Sequence, residues 1–445
     1  MKMKSTEAFS ALSRRKAIVL TGAALFSLTA SLALGKPGGN GGGKPGGGGA
    51  NTAPIEYQLT WIPGINDGQV RIYDCNAAGI AVGSYDDETG THQPFCTTAD
   101  GVVLPLDDWW ELPLGYEGWR VGGREIQINE ANLVCGSIVN DLTSEHKLFL
   151  ANLSDRDSLE PVGPVLGGFG PWHIHMNEHG DVAFRVDDGF DATLHLYVRS
   201  LDKMFGWEQE LRGFTPTGIN DNLQVSLLYG DFGLLDRTII HSRGSGLLTF
   251  ITYDVEKDEA VIVIEDLGTG WTNAEPITLP YGGINNAGTV FGCFETKKPR
   301  YMIRGNRLVS RSSDTTAGFI AAGAETWTEL DASLPTGGTL ENAWSFEAAA
   351  CALDVNEFGQ IVGGYNKVSA RSGCEDLWLL DPEDGLFDVN DLVVGDLAEV
   401  EAFRAADTIA LVHITEIDTE TGYGIISGYA AGHGFILTPR LIEQP

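Results

Sequence analysis

The stretch Val-Asn-Glu-Phe-Gly-Gln-Ile-Val-Gly at 355–363 decides the fold of this chain, because the same phrase returns along most of its length. The shared pattern is an apolar residue, Asn, two residues, Gly, three residues and a second Gly. Complete copies begin at Asn76, Asn285 and Asn356, and modified copies begin at Asn129, Asn177, Asn220 and Asp418. Copies of one unit at this spacing predict an array of like modules.

The phrase has the chemistry of a hairpin turn. Asn can bond its side chain to the backbone two residues on, and the first Gly supplies a positive φ at no steric cost. Asn132 takes that Gly position in the second unit, and Asn tolerates the left-handed conformation best among the other residues. The second Gly is predicted to lie where the strand passes close to another backbone or carries a bulge.

A short apolar run follows each Asn and predicts a further strand in each unit. The centres of these runs are Phe95, Phe149, Tyr197, Ile240, Tyr301, Trp378 and Phe435. Each unit is therefore predicted to contain a strand, the Asn-Gly turn, a second strand, a loop, the aromatic strand and a variable fourth strand. Successive Asn positions are 43 to 71 residues apart, which suits a four-stranded propeller blade with loops of differing length.

The sequence therefore predicts an all-β protein, a β-propeller of seven four-stranded blades over residues 55–445. The last unit stops after its aromatic strand at 434–437, and an unassigned strand at 57–61 precedes the first turn. Pairing these two segments would close the ring and remove two open sheet edges. Six or eight blades are also open, because the long fourth and fifth units have room for an inserted hairpin. Two packed β-sandwiches are the alternative fold.

Three segments resemble the extracellular HAF repeat family, which is named for a His-Ala-Phe triplet in its aromatic strand. They are Ile-Asn-Asn-Ala-Gly-Thr-Val-Phe-Gly at 284–292, the phrase at 355–363, and Gly-His-Gly-Phe-Ile-Leu-Thr-Pro at 432–439. The resemblance covers residues 56–440, and only 432–435 approaches the triplet itself. It implies an exported repeat protein and carries no catalytic set with it.

The first 54 residues are predicted to lie outside the fold. Residues 13–20 read Ser-Arg-Arg-Lys-Ala-Ile-Val-Leu, and an apolar run with small residues follows to Leu34. This pattern predicts an export signal of the twin-arginine type over residues 1–33, with cleavage near Ala33. The alternative is an uncleaved membrane anchor. Residues 34–54 are rich in Gly and Pro, which predicts a flexible linker.

Charge narrows the choice of partners. Of the 29 basic and 61 acidic residues, residues 1–54 hold seven basic and one acidic, which leaves a net charge of −38 for residues 55–445. Such a field repels nucleic acids and anionic membranes, so neither is an expected partner, and no membrane insertion is expected after signal cleavage. Solubility in a saline setting explains the charge, and uptake of divalent cations is the alternative. No complete Ca²⁺ loop is present, so no cofactor is predicted.

Six cysteines in an exported chain permit disulfides. Cys75 with Cys96, and Cys351 with Cys374, each fall within one unit and are the expected pairs, among fifteen pairings that the sequence allows. Cys135 and Cys293 are expected to be buried thiols.

The densest candidate site is Trp-His-Ile-His-Met-Asn-Glu-His at 172–179. Strand alternation puts His173 and His175 on one face, and His179 lies in the following turn. These three histidines form a candidate metal site. Alternatively, His173 and His175 act in a polysaccharide lyase, with His195 as a second base, Tyr229 as the proton donor and Arg243 as the clamp on the uronate carboxylate. The structural alternative is that they are ordinary strand and turn histidines.

Two functions therefore remain open. The first is an exported, extracellular or periplasmic binding module whose partner is a polysaccharide or a cell-surface protein. The second is an extracellular carbohydrate-active enzyme, with a lyase acting on a uronate-containing polysaccharide as the favoured activity. No nucleophile elbow and no His-Glu-x-x-His string is present, so serine or zincin hydrolysis has no support.

Export through the twin-arginine route can be tested on Arg14 and Arg15. We expect Arg14→Lys combined with Arg15→Lys to leave full-length precursor inside the cell, because that route reads the paired guanidinium groups. Immunoblots of cell and medium fractions measure the effect, with Lys36→Ala plus Lys44→Ala in the linker as the matched control. Normal secretion of the Arg14/Arg15 variant would contradict the assignment.

Overall fold

The computed structural model describes most of the repeat region. The described residues are 55–64, 68–106, 109–166, 170–187, 192–207, 214–229, 248–254, 259–264, 274–276, 283–288, 290–296, 300–304, 307–311, 314–320, 328–329, 350–365, 374, 376–406, 408–418 and 420–442. Within 227–282 and 289–352 the description is confined to the backbone. The predicted signal and linker, with Arg243 and Ile240, lie outside these residues.

The first three sheets follow one another along the chain, after strand β1 (Ile55–Ile62). The first sheet contains β2 (Val70–Cys75), β3 (Ala81–Asp86), β4 (His92–Thr97) and β5 (Val103–Pro105). The second contains β6 (Trp119–Val121), β7 (Gln127–Ile128), β8 (Leu133–Asn140), β9 (His146–Asn152) and β10 (Glu160–Leu166). The third contains β11 (Pro171–Met176), β12 (Val182–Asp187), β13 (Ala192–Val198) and β14 (Lys203–Trp207), with a 3₁₀ turn at Arg199–Leu201.

The next three sheets repeat the antiparallel meander. The fourth contains β15 (Phe214–Ile219), β16 (Gln224–Tyr229), β17 (Leu248–Asp254) and β18 (Glu259–Ile264). The fifth contains β19 (Ala274–Pro276), β20 (Val290–Thr296), β23 (Asp314–Ile320) and β24 (Thr328–Glu329), and the hairpin β21 (Arg300–Arg304) with β22 (Arg307–Arg311) is inserted between β20 and β23. The sixth contains β25 (Ala350–Val355), β26 (Ile361–Tyr365), β27 (Asp376–Asp381) and β28 (Gly385–Asp388).

The last sheet joins the two ends of the repeat region. It contains β29 (Val393–Val394), β30 (Ile409–Ile417), β31 (Gly424–Ala430) and β32 (His433–Leu441), and it also takes in β1, in the order β29-β1-β32-β31-β30. Strand β1 pairs antiparallel with β32 along its whole length, from Ile55 opposite Leu441 to Ile62 opposite Gly434. The described chain is thus nearly all β, built from sheets of four or five strands and one two-stranded hairpin.

The second Gly of the phrase faces the aromatic residue of the third strand. Gly83 lies opposite Phe95, and Gly428 lies opposite Phe435. A Cβ atom on Gly83 would lie 2.9 Å from the Phe95 ring and 2.0 Å from the carbonyl oxygen of Arg71. The predicted close approach is confirmed at this position, and it explains why the Gly and the aromatic residue recur together.

The run around Tyr301 is not the third strand of its unit. Tyr301 belongs to the inserted hairpin β21–β22, and β23 takes the third position instead. The third strand of the fourth unit is β17, which follows the predicted centre at Ile240. Insertions move these strands along the sequence, and the fifth unit does contain the extra hairpin that its length allowed.

Two short helices accompany the last sheet and were missed by the sequence analysis. Helix α1 spans Val389–Leu392, and helix α2 spans Leu397–Arg404. The Asp396 carboxylate caps α2 by accepting from the backbone N–H groups of Ala398 and Glu399. Phe403 is fully buried, with its ring edge-on to that of Phe435 at 5.1 Å. Helix α2 therefore adds to the hydrophobic core that holds β1 and β32.

The expected Cys75–Cys96 disulfide is wrong. Both residues are buried thiols. They belong to different hydrophobic clusters, Cys75 with Ile72 and Cys96 with Val134, so their side chains point to opposite faces of the first sheet. Cys135 is a buried thiol as expected, whereas the side chains of Cys293 and Cys351 lie outside the described set.

Deleting residues 55–62 tests how much the fold depends on β1. Ile55, Tyr57, Leu59 and Ile62 are all buried, and each such side chain contributes roughly 1.5–3 kcal/mol to a typical total of ~5–15 kcal/mol. We expect aggregation, or a melting temperature lowered by many degrees in differential scanning calorimetry. Deleting residues 35–54 is the control and should have little effect. A protein without β1 that melts like the parent would contradict the prediction.

Candidate functional site

Five of the repeated asparagines each connect their own unit to the next one. Within a unit, the Asn76 Oδ1 atom accepts from the N–H of Ile80 at 3.1 Å, and Gly79 takes a φ of 75° to close the turn. The Nδ2 group then donates across the gap to a backbone carbonyl of the following unit. Such bonds run from Asn76 to Asn129 at 3.4 Å, Asn129 to Asn177 at 3.4 Å, Asn177 to Asn220 at 3.1 Å, Asn220 to Asn285 at 2.9 Å, and Asn356 to Thr415 at 3.1 Å. One side chain therefore forms a turn and also joins two sheets.

A second set of links uses the residue after each Asn. The backbone N–H of one unit donates to the side chain at the same position in the next unit. These bonds run from Ala77 to Glu130 at 2.9 Å, Glu130 to Glu178 at 3.1 Å, Glu178 to Asp221 at 3.0 Å, Asp221 to Asn286 at 2.7 Å, Asn286 to Glu357 at 2.6 Å, and Glu357 to Glu416 at 3.2 Å. We call these seven positions the acidic ring.

The last unit differs from the sequence prediction. Asp418 does close the final turn, since its carbonyl accepts from Gly422 N–H at 2.8 Å. Thr415, three residues earlier, nevertheless occupies the linking position, because Asn356 bonds to its carbonyl. The three extra residues lengthen this hairpin instead of displacing it. The assignment of Asp418 to the Asn position is therefore wrong for the links between units.

A cavity of about 270 Å³ is lined by segments from all seven units. It lies next to the acidic ring, since Glu130, Glu178 and Glu416 also line it. The residues two places before each linking position face it, and we call this set the channel layer. Its members are Asp74, Gln127, His175, Gly218, Gly283, Asp354 and His413.

His413 lies between two carboxylates from neighbouring units. Its Nδ1 atom is 2.5 Å from Asp354 Oδ2, and its Nε2 atom is 3.4 Å from Asp74 Oδ1. Burial lowers the pKa of His413, but Asp354 and Asp74 outweigh that effect and raise the pKa to about 10. This imidazole is therefore a fixed cation at neutral pH.

The two carboxylates are themselves held by backbone groups. Asp74 accepts from the N–H groups of Cys75 at 2.8 Å and Ile128 at 2.9 Å, and Asp354 accepts from Ile414 N–H at 2.9 Å. Burial raises the pKa of Asp74, although His413 and these hydrogen bonds act in the opposite direction. Each aspartate thus links two units and holds His413 at the same time.

Of the histidines predicted at 173, 175 and 179, only His175 lines the cavity. Burial lowers the pKa of His175 to about 3, with His173 and His413 adding to the effect. A bulge interrupts β11 between Trp172 and His175, and His173 takes a φ of 50° within it. His179 is exposed in the turn. Among the described residues no group of three or more His, Cys, Asp or Glu could hold a metal ion, so these three histidines do not form one.

The predicted lyase set is not brought together in the described residues. His195 lies on β13, where its ring stacks on Phe184 at 5.3 Å and contacts Thr193 Oγ1 at 3.0 Å, away from the cavity. The backbone of Tyr229 is described but its side chain is not, and Arg243 lies outside the described residues.

Sequence reasoning missed Asp74, Asp354 and His413. Two of them could have been found, since Asp74 and Asp354 stand two residues before Asn76 and Asn356. That position faces the cavity in every unit. His413 could not be found in this way, because the longer final hairpin hides its register.

Comparison with known proteins gives distant structural likenesses alone. No family model matches the chain, and no curated protein matches it. A virginiamycin B lyase from Staphylococcus aureus with quinupristin is 12% identical at a TM-score of 0.44, covering 87% of this chain and 100% of that one. A polysaccharide lyase of family PL25, an ulvan lyase, is 11% identical at 0.39, covering 87% and 97%.

A puromycin hydrolase is 12% identical at a TM-score of 0.45, covering 82% of this chain and half of that one. At these scores the likenesses carry no argument about a reaction or a ligand. No helix among the described residues is long and apolar enough to cross a membrane.

Two glutamates of the acidic ring should make the free energy of unfolding depend on pH. Burial and the neighbouring carboxylates raise the pKa of Glu178 and of Glu416 from 4.5 to about 7. The folded state therefore binds these protons more tightly than the unfolded state. Their stabilising contribution is complete below about pH 4.5 and is lost as the pH rises to about 7.

We expect Glu178→Gln combined with Glu416→Gln to flatten the fall in unfolding free energy between pH 5 and pH 8, because Gln keeps the acceptor without titrating. Chemical denaturation at each pH measures the slope. Glu88→Gln with Glu420→Gln, two exposed acids outside the ring, makes the same change of charge and should keep the parental slope. Equal slopes for the two double variants would contradict the prediction.

Proposed function

We propose that this protein is an exported, closed seven-bladed β-propeller that acts as a binding module, with a small hydroxyl-rich ligand such as the end of a glycan held in the central cavity. The links between successive units support the ring, and contacts between the last and first units support its closure. His413 of the last unit lies 3.4 Å from Asp74 of the first, and Val70 N–H donates to Gly432 O at 3.1 Å. Export rests on the signal pattern of residues 1–33, and the likeness to the HAF repeat family agrees with it.

The observation that carries the binding function is the state of the two cavity histidines. A general acid or base works best when its pKa lies near the operating pH. His413 is held between Asp354 Oδ2 at 2.5 Å and Asp74 Oδ1 at 3.4 Å, which raise its pKa, whereas burial lowers the pKa of His175, so both shifts lead away from neutral pH. A neutral imidazole and a fixed cation can position a ligand without reacting with it.

Charge also favours a ligand that is not a polyanion. The positive charge of His413 is matched by Asp354 and Asp74, and Glu130, Glu178 and Glu416 line the same cavity. A uronate would enter this field at a Coulombic cost. The lyase hypothesis needs a cation to receive that carboxylate, and its candidate, Arg243, lies outside the described residues.

A cell-surface protein remains the partner for the outer face under the binding proposal.

The size of the cavity suits a small group. At about 270 Å³ it lies slightly below the ~300–1,000 Å³ that is usual for small-molecule sites. A single sugar unit, at a chain end or on a side branch, is the expected occupant.

Isothermal titration of residues 55–445 against neutral, amino-bearing and uronate-containing oligosaccharides tests this function. We expect binding to the neutral or amino-bearing sugars, none to the uronates, and no ultraviolet absorbance from unsaturated uronate ends. His175→Ala should weaken the binding about tenfold, as loss of a hydrogen bond in a site does. His179→Ala, in the exposed turn of the same unit, is the matched control.

Two outcomes would contradict the proposal. Failure of every sugar in the panel to bind would remove the glycan site. Release of an absorbing uronate end that is lost in His175→Ala would establish the lyase in its place.

A further inference from the structure

One side of the channel layer lacks side chains. Gly218 and Gly283 occupy this layer in the fourth and fifth units, between His175 of the third and Asp354 of the sixth. A Cβ atom on Gly218 would lie 3.0 Å from the backbone nitrogen of Ile284, so that position is tightly packed. A Cβ atom on Gly283 would lie 3.5 Å from Asp354 Oδ1, an ordinary contact distance. We call the space between His175 and Asp354 the glycine niche.

The polar side chains at the two ends of this niche present hydrogen-bond acceptors. Asp354 Oδ2 is occupied by His413 and by Ile414 N–H, whereas no donor among the described residues reaches Oδ1, which faces Gly283. The imidazole of His175 lines the cavity at the other end of the niche. Because a neutral imidazole has one donor nitrogen, its other nitrogen carries a lone pair.

The neighbouring wall offers the complementary group. Gln127 Oε1 accepts from Met176 N–H at 2.8 Å, which leaves the Nε2 group of Gln127 as a donor with no partner among the described residues. Gln127 lines the cavity next to His175. A ligand that fits both places has a donor-only group for the niche and an adjacent oxygen acceptor for Gln127.

We propose that the glycine niche binds the primary ammonium group of an amino sugar, with a ring hydroxyl on Gln127. An ammonium group has three donors and no acceptor, which matches two acceptors in a negatively charged cavity. A metal ion would need more ligands than His175 and Asp354 supply, and no sufficient set exists among the described residues. A lysine side chain would satisfy the niche and leave Gln127 unmatched.

This proposal rests on the glycan-binding function given above and names the sugar class. Glucosamine, N-acetylglucosamine and glucose separate the two claims, because they share one ring and differ at a single substituent. At pH 6 we expect glucosamine to bind residues 55–445 at least about tenfold more tightly than the other two, as a charge-assisted hydrogen bond provides. Lysine amide serves as the arm that carries an ammonium group without a sugar.

Two variants identify the niche as the source of the preference. Asp354→Asn keeps an acceptor for Ile414 N–H and should reduce the preference for glucosamine over glucose to less than about twofold. Asp141→Asn removes the same charge at the exposed Arg120 pair and should have no effect. Gly283→Val fills the niche without changing any charge. Gly283→Val should abolish the preference for glucosamine. It therefore tests the niche independently if Asp354→Asn destabilises the fold.

The outcomes separate a failure of the glycan-binding function from a failure of the ammonium site. If none of the three sugars binds, the glycan-binding function fails and this proposal fails with it. If all three bind equally, the function stands and the ammonium site is wrong. If lysine amide binds as tightly as glucosamine, or if Gly283→Val retains the preference, the assignment to an amino sugar in the glycine niche is overturned.

Discussion

The side-chain amide of the repeated asparagine is the interaction on which the rest of the structure depends. Its oxygen satisfies the N–H groups of its own turn, and its nitrogen satisfies a buried carbonyl in the next unit. Aspartate could provide the first function but has no donor for the second. Since an unsatisfied buried polar group costs about 1–3 kcal/mol, replacement of Asn220 or Asn356 would disturb a turn and a junction between sheets together.

Fixing these turns also determines which residues face the cavity. Each Asn sets the phase of its inner strand, so the residue two places earlier enters the channel layer and the residue one place later enters the acidic ring. The residue types at those positions differ from unit to unit, as Asp74, Gln127, His175 and Gly218 show. The hydrogen bonds between units are the same along the chain, whereas the side chains that line the cavity differ from unit to unit.

The sequence therefore predicts the repeated turns and strands better than it predicts the residues of the cavity. Asn-Gly turns and the pairing of Gly with an aromatic residue are local patterns, and they predict the all-β units and the strand that joins β32. Two assignments failed where spacing was irregular. Tyr301 lies in an inserted hairpin. Asp418 closes a last hairpin that is longer by three residues, so Thr415 takes the linking position instead and His413 enters the cavity. An inserted hairpin and an extended hairpin look alike in a single sequence. The strand register near Tyr301 and near His413 therefore cannot be derived from the sequence pattern.

The junction between the last and first units shows how the acidic ring and His413 depend on each other. Ala77 occupies the ring position where six other units carry an acceptor side chain, so it has no side-chain acceptor for the backbone of the last unit. At the same junction His413 contacts Asp74, and β1 pairs with β32. Buried ion pairs contribute less to stability than their distances suggest, because desolvation offsets the attraction. Here the pair has a second effect, since it fixes one positive charge between the first and last units on the wall of the cavity that Glu130, Glu178 and Glu416 also line.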